Sequence, residues 1–149
     1  MYSFSKLTTV AVSALSFASL ALAAPVETNS TVTVGLVARA PYDVHNGWAT
    51  YYNPSVGIGA CGWANSDSEL VAAIGTSLFQ EMMVDGNPNH GQACGKTAAV
   101  TWNGKTVNMR VVDRCYACGY NDIDLSPVGF QQFAGLGVGK LNGVSWRFV

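Results

Sequence analysis

The chain has 149 residues, 49% hydrophobic and only 11% charged, with four cysteines and a formal net charge of −1. Soluble chains carry roughly 25% charged residues, so this surface is neutral polar, while the ordinary apolar fraction excludes a disordered polymer. No run of Lys and Arg supplies the basic footprint that phosphate backbones require, so nucleic acid is not an expected partner.

Residues 1–23 have the pattern of a secretory signal peptide: Lys6, then an uncharged stretch from Leu7 to Ala23 that closes on Ala21-Leu22-Ala23. Ser and Thr dilute the run and it is short for a bilayer span, so export is expected rather than anchoring. Residues 24–40 read as a short leader or pro-segment carrying the glycosylation sequon Asn29-Ser30-Thr31; the proline of Asn53-Pro54-Ser55 disqualifies the other candidate. Residues 41–149 form one domain on the usual size prior. It is expected to be extracellular, soluble and monomeric.

Within that body, Gly47 to Tyr52 is aromatic and Thr-containing, which suits a first strand. Ser66-Asp67-Ser68-Glu69 has capping-box spacing before Leu70, Val71, Ala73 and Ile74, with Gly75 as a stop, and so predicts a short helix. Thr97–Trp102, Asn103-Gly104 and Lys105–Val112 predict a hairpin, because Asn-Gly accepts the positive φ of a type I′ turn. Ser126-Pro127 supplies an N-cap and a helix-opening proline before Phe130 and Phe133. Val144, Trp146 and Phe148 alternate as a last strand, and Trp102 and Trp146 are expected in the core. Many short strands, two small helices and 16 glycines point to a β-barrel with helical crossovers rather than a sandwich.

Cys61, Cys94, Cys115 and Cys118 are an even set in an exported body, so two disulfides are the default. Three pairings are open; the sequence proximity of Cys115 and Cys118 favours that local bridge with Cys61–Cys94 as the other. A redox dithiol would sit at a helix N-terminus in a βαβ unit, and zinc would need a second paired knuckle. His45 and His90 do not stand at ligand spacing from a cysteine, so no metal and no cofactor are expected.

Two carboxylates stand in apolar strand contexts. Asp113 ends Met109-Arg110-Val111-Val112, and Asp124 lies in Asp122-Ile123-Asp124-Leu125-Ser126. Each is either a structural cap or a site residue, and Asp113 and Asp122 could simply accept from the amides of their turns. The Val-Val-Asp-Arg step followed by Asp-Ile-Asp-Leu-Ser resembles the RlpA-like double-psi β-barrel pattern, shared by expansin domain one, barwin and family forty-five endoglucanases. Gly47 to Asn53 and Gly59 to Trp63 are similar to the expansin opening. The likeness runs over about residues 45–149 and is nearest to small secreted fungal single-domain proteins of the loosenin type. It implies a six-stranded double-psi β-barrel with short crossover helices.

The resemblance also nominates a groove. Thr50 matches the first-strand Thr of expansins, Asp113 the Asp of the second motif, and Asp124 the general acid of the hydrolytic relatives; Tyr51, Tyr52 and Trp63 are candidate sugar platforms, since aromatic faces stack on pyranoses. The endoglucanases place a general base where this chain has Asn53. An inverting hydrolase needs two suitably spaced carboxyl groups, and an amide cannot take a proton from water. The implied function is binding and loosening of cell-wall polysaccharide, of cellulose or chitin type, without hydrolysis. Because the sequence ends at Val149 soon after the last strand, the second, carbohydrate-binding domain of full expansins is not expected. The competing expectation is a protein partner, such as a secreted cysteine protease or a host protein, since similar barrels include a protease inhibitor.

Overall fold

A computed structural model describes residues 40–149. The segments expected to be a signal peptide and a leader, up to residue 39, and the sequon at Asn29 lie outside the described residues. The body is a closed six-stranded barrel built from β1 (His45–Tyr51), β2 (Val71–Gly75), β3 (Thr97–Trp102), β4 (Lys105–Cys115), β5 (Ile123–Leu125) and β6 (Leu141–Phe148), in the order β1-β5-β2-β4-β3-β6. Two contacts are parallel, β1 with β5 and β2 with β4, and the other four are antiparallel. Two short helices, α1 (Thr76–Glu81) and α2 (Pro127–Gln131), follow β2 and β5.

Most elements follow from local chemistry. Asn103 and Gly104 have φ of 46° and 80°, as a type I′ turn requires, and they pin β3 to β4 with Trp102 opposite Lys105. Ser126 caps α2 by accepting from the Gly129 amide at 3.2 Å, with Pro127 in the first turn. Gly47 is required by a close approach: a Cβ there would stand 2.7 Å from the Asn121 carbonyl oxygen.

The helix expected after Ser66–Glu69 is instead a turn followed by β2. Half of the capping box does form, with Glu69 Oε2 accepting from the Ser66 amide at 2.6 Å. The chain then extends because all five residues of β2 are buried and paired with β4, and the central three, Ala72 to Ile74, are also paired with β5. A short apolar run of that kind has no periodicity with which to tell a central strand from a buried helix. The helix α1 starts at Thr76, where Gly75 had been expected to end one.

Ala49, Ile74, Met109, Val111, Ile123, Leu125 and Leu141 point inward and are closed over by Leu78, Phe79 and Phe130 from the two helices. Trp146 is buried as expected, stacks on His45 at 4.2 Å and donates its indole N–H to the Asn121 carbonyl at 2.8 Å. Trp102 is half-buried against the core and donates to the Asn142 carbonyl at 2.9 Å. Cys61–Cys94 and Cys115–Cys118 are both bonded, which decides the pairing.

Candidate functional site

Strand register places the site. Thr50 of β1 pairs with Asp124 of β5, Asp124 with Ala73 of β2, and Ala73 with Asp113 of β4, so four residues form one row across four strands. Their neighbours Ala49, Ala72, Ile74, Ile123 and Leu125 belong to the core, so by alternation the row faces outward. Asp113 reaches this face only through a β-bulge: Ala72 pairs with Val111 and Ala73 with Asp113, leaving Val112 as the additional residue. Without it Asp113 would share the inward parity of Met109 and Val111.

Thr50 Oγ1 donates to Asp124 Oδ1 at 2.6 Å. Burial pushes the Asp124 carboxyl above the usual carboxylate range; the Thr50 hydrogen bond opposes the shift, and the charge of Asp113 adds to it. Asp113 Oδ1 accepts from the Ala60 and Arg114 amides at 2.7 and 2.8 Å, so it also fastens the loop before β2 onto β4. Tyr52 lies over Ala73 and the Cys115–Cys118 bridge. Its buried hydroxyl has no hydrogen-bond partner among the described residues, and burial, followed by the charges of Asp113 and Asp124, raises its pKa strongly.

Cys115 Sγ, Cys118 Sγ and an Asp124 oxygen lie within 4.8 Å of one another, the one grouping with metal-ligand proximity among the described residues. Both sulfurs are spent in the disulfide, so this set offers one carboxylate rather than a thiolate site. Two adjoining clefts open beside the row. One, of about 140 Å³, is lined by Tyr52, Asn53, Val56, Ile58 and Asp113; the other, of about 350 Å³, by Ile58, Ala60, Asp113, Arg114 and Tyr116. A separate shallow cleft on the β3/β6 face, lined by Ala99, Thr101, Ser145 and Arg147 among others, contains no carboxylate.

Of the residues nominated from sequence, Thr50, Tyr52, Asp113 and Asp124 come together. Tyr51 has the opposite parity on β1, pairs with Leu125, and packs edge-on against Phe130 at 5.1 Å. Trp63 is partly exposed outside the row, with the Arg110 guanidinium 5.3 Å above its ring. Asn53 Nδ2 donates to Asp67 Oδ2 at 2.8 Å and is a loop fastening. Asp122 is the cap that the sequence allowed, accepting from the Trp48 and Gly119 amides at 3.0 and 2.9 Å. The residue overlooked is Trp48: two positions before Thr50, it faces outward over the same disulfide, with Lys140 Nζ 4.1 Å from its ring centroid. Period-two alternation along Trp48, Thr50 and Tyr52 was the signal that could have found it.

Chemically, the row offers a partly buried carboxyl whose pKa is raised, a hydroxyl fixed to it and a second carboxylate, with two half-buried aromatics beside them. That set suits hydrogen bonding to a polyhydroxylated ligand with stacking beside it. Asp113 is the second carboxylate, and its Oδ1 already accepts two amide N–H groups, while the Asn53 amide cannot act as a base.

No family model matches the chain. It is 36% identical over 105 residues to a papain inhibitor of Streptomyces mobaraensis, covering 69% of this chain and 70% of that protein. The solved Streptomyces papain inhibitor shares the fold with a TM-score of 0.64 and 35% identity, over 72% of this chain and 94% of that one. Allergen Asp f 7 of Aspergillus fumigatus is 35% identical over 106 residues, covering 68% of this chain and 36% of the allergen. A mutant Clavibacter michiganensis expansin, solved with cellohexaose, shares the fold with a TM-score of 0.58 and 23% identity, over 72% of this chain and 50% of that one. With a closed six-stranded barrel and the papain inhibitor, at 36% identity, covered over 70% of its length, the chain belongs to the expansin-like double-psi β-barrel family.

Proposed function

We propose that the protein is exported and binds cell-wall polysaccharide of the cellulose or chitin type on the outer face of β1, β5, β2 and β4, without hydrolysing it. The observation that carries this reading is the in-register row Thr50–Asp124–Ala73–Asp113, with the 2.6 Å hydrogen bond from Thr50 to Asp124. Ala73 is buried beneath Tyr52, so the two carboxylates stand beside the Tyr52 ring, where sugar hydroxyls can be held next to an aromatic face. Two disulfides suit an oxidising compartment and support export. The position at which the related endoglucanases carry their base holds Asn53, an amide tied to Asp67, which supports binding without hydrolysis.

A second reading, inhibition of a papain-type cysteine protease, is favoured by the 36% identity to the papain inhibitor. One panel tests both: titration of purified protein with cello-, chito- and xylo-oligosaccharides, release of reducing ends from the same glycans, and residual papain activity. Binding of a glucan or chitin oligomer with no reducing ends released is the expected result. Steady reducing-end release that is lost in Asp124→Asn would replace the binding reading with a hydrolytic one.

A further inference from the structure

No Asp, Glu, Lys, Arg or His occurs from Asn53 to Ser66, a stretch that covers all but the first residue of the loop between β1 and the turn at Ser66. Within it Val56 and Ile58 are 86% and 69% exposed, and Tyr116, just after β4, is 77% exposed. Ile58 lines one cleft with Val56 and the next with Tyr116, so exposed apolar groups border both clefts, with Asp113 lining each of them and Arg114 the second. Contiguous exposed apolar groups mark an interaction site. Branched aliphatics have no π face for a pyranose and no hydrogen-bonding atom for its hydroxyls, so they suit an apolar protein cleft better than a glycan.

The loop is also held rigid. The Ser55 amide donates to Asp67 Oδ1, Val56 to the Asn53 carbonyl, Gly59 to the Trp63 carbonyl and Ala60 to Asp113 Oδ1. Ile58 bridges Ala64, and Cys61 is bonded to Cys94. A loop already ordered loses little entropy on binding. Gly57 is extended, with φ −175° and ψ −171°, and a Cβ there would meet nothing within 4 Å. Nothing among the described residues requires glycine at that position, and its bare backbone lets another chain approach closely.

We infer that the Pro54–Ala60 loop, with Tyr116 beside it, enters the substrate cleft of a papain-type cysteine protease, Val56 and Ile58 filling apolar subsites. This rests on the protease reading above. The uncharged loop matches an uncharged apolar cleft, and the extended backbone at Gly57 matches the form in which a cleft receives a chain.

The test is papain inhibition by the parent, by the double variant Val56→Asp/Ile58→Asp and by Gly57→Val, each with a thermal melt. The parent inhibits, the double variant is weaker by at least about thirtyfold as for lost anchor residues, and Gly57→Val is also weaker at unchanged melting temperature. If the double variant melts lower, Gly57→Val alone decides, since its added side chain points into open space. A parent that inhibits, with variants that inhibit equally, overturns the loop assignment and leaves the protease reading standing. A parent that leaves papain active overturns the protease reading and this inference with it.

Discussion

Thr50→Val removes one hydroxyl and keeps the side chain's shape, so it isolates the hydrogen bond that ties β1 to Asp124 at 2.6 Å. A hydrogen bond to a charged group contributes about 1.5 to 3 kcal/mol, and a neutral one about 0.5 to 1.5 kcal/mol. For a domain of this size a kilocalorie moves the melting temperature by about 3 to 4 °C, so at neutral pH the variant should melt about 5 to 12 °C lower. The sign with pH follows from the carboxyl. Burial raises the Asp124 pKa above its ordinary value, so the native state binds more protons there, and this group's contribution to stability falls as pH rises from its ordinary range through the folded value. Thr50 opposes that shift by favouring the charged form, and Thr50→Val raises the folded pKa further. The deficit of the variant is therefore full above that pKa and shrinks as pH falls through it, towards about 2 to 6 °C for a neutral bond. Calorimetric melts from pH 3 to 8 on both proteins read it directly. A deficit independent of pH, or no deficit at neutral pH, would refute the reasoning.

Tyr52→Phe removes a buried hydroxyl that has no partner among the described residues. The fold should be unchanged or up to about 1 kcal/mol more stable, while cello-oligosaccharide affinity is kept, because phenylalanine retains the aromatic face and the lost hydroxyl is buried, read by a denaturant melt and a titration on one sample. The Cys61–Cys94 bridge closes 33 residues and the Cys115–Cys118 bridge three. On chain entropy the first contributes about 3 to 4 kcal/mol and the second about 2 kcal/mol. Guanidinium unfolding of the two paired Cys→Ala variants should show that order, and glycan affinity should suffer more from loss of the second, because it underlies Asp124 and Tyr52.

What the sequence made legible was local. Asn103-Gly104, Ser126-Pro127 and the alternation of Val144, Trp146 and Phe148 each specify their element through one or two dihedrals or caps. The strand β2 was misread because its identity comes from β4 and β5 on either side, which no window of ten residues contains. The same holds for the site. Asp113 and Asp124 could be nominated from their motifs, but their common face depends on the extra residue Val112, and a bulge leaves no mark in composition. Tyr51 was grouped with Tyr52 by adjacency, whereas strand parity sends the two to opposite faces and puts Trp48 where Tyr51 had been expected.

The most direct test of the site is calorimetric titration of cellohexaose and chitohexaose into the parent and into Asp124→Asn. Asparagine keeps the size of the side chain and can still accept from Thr50, but it removes the carboxyl that the row presents. With a melting temperature close to the parent's, the variant should bind at least about tenfold more weakly, as expected for loss of a charge-assisted hydrogen bond. Equal affinity of the two proteins at equal stability would contradict the assignment of the Thr50–Asp124–Asp113 row as the polysaccharide site.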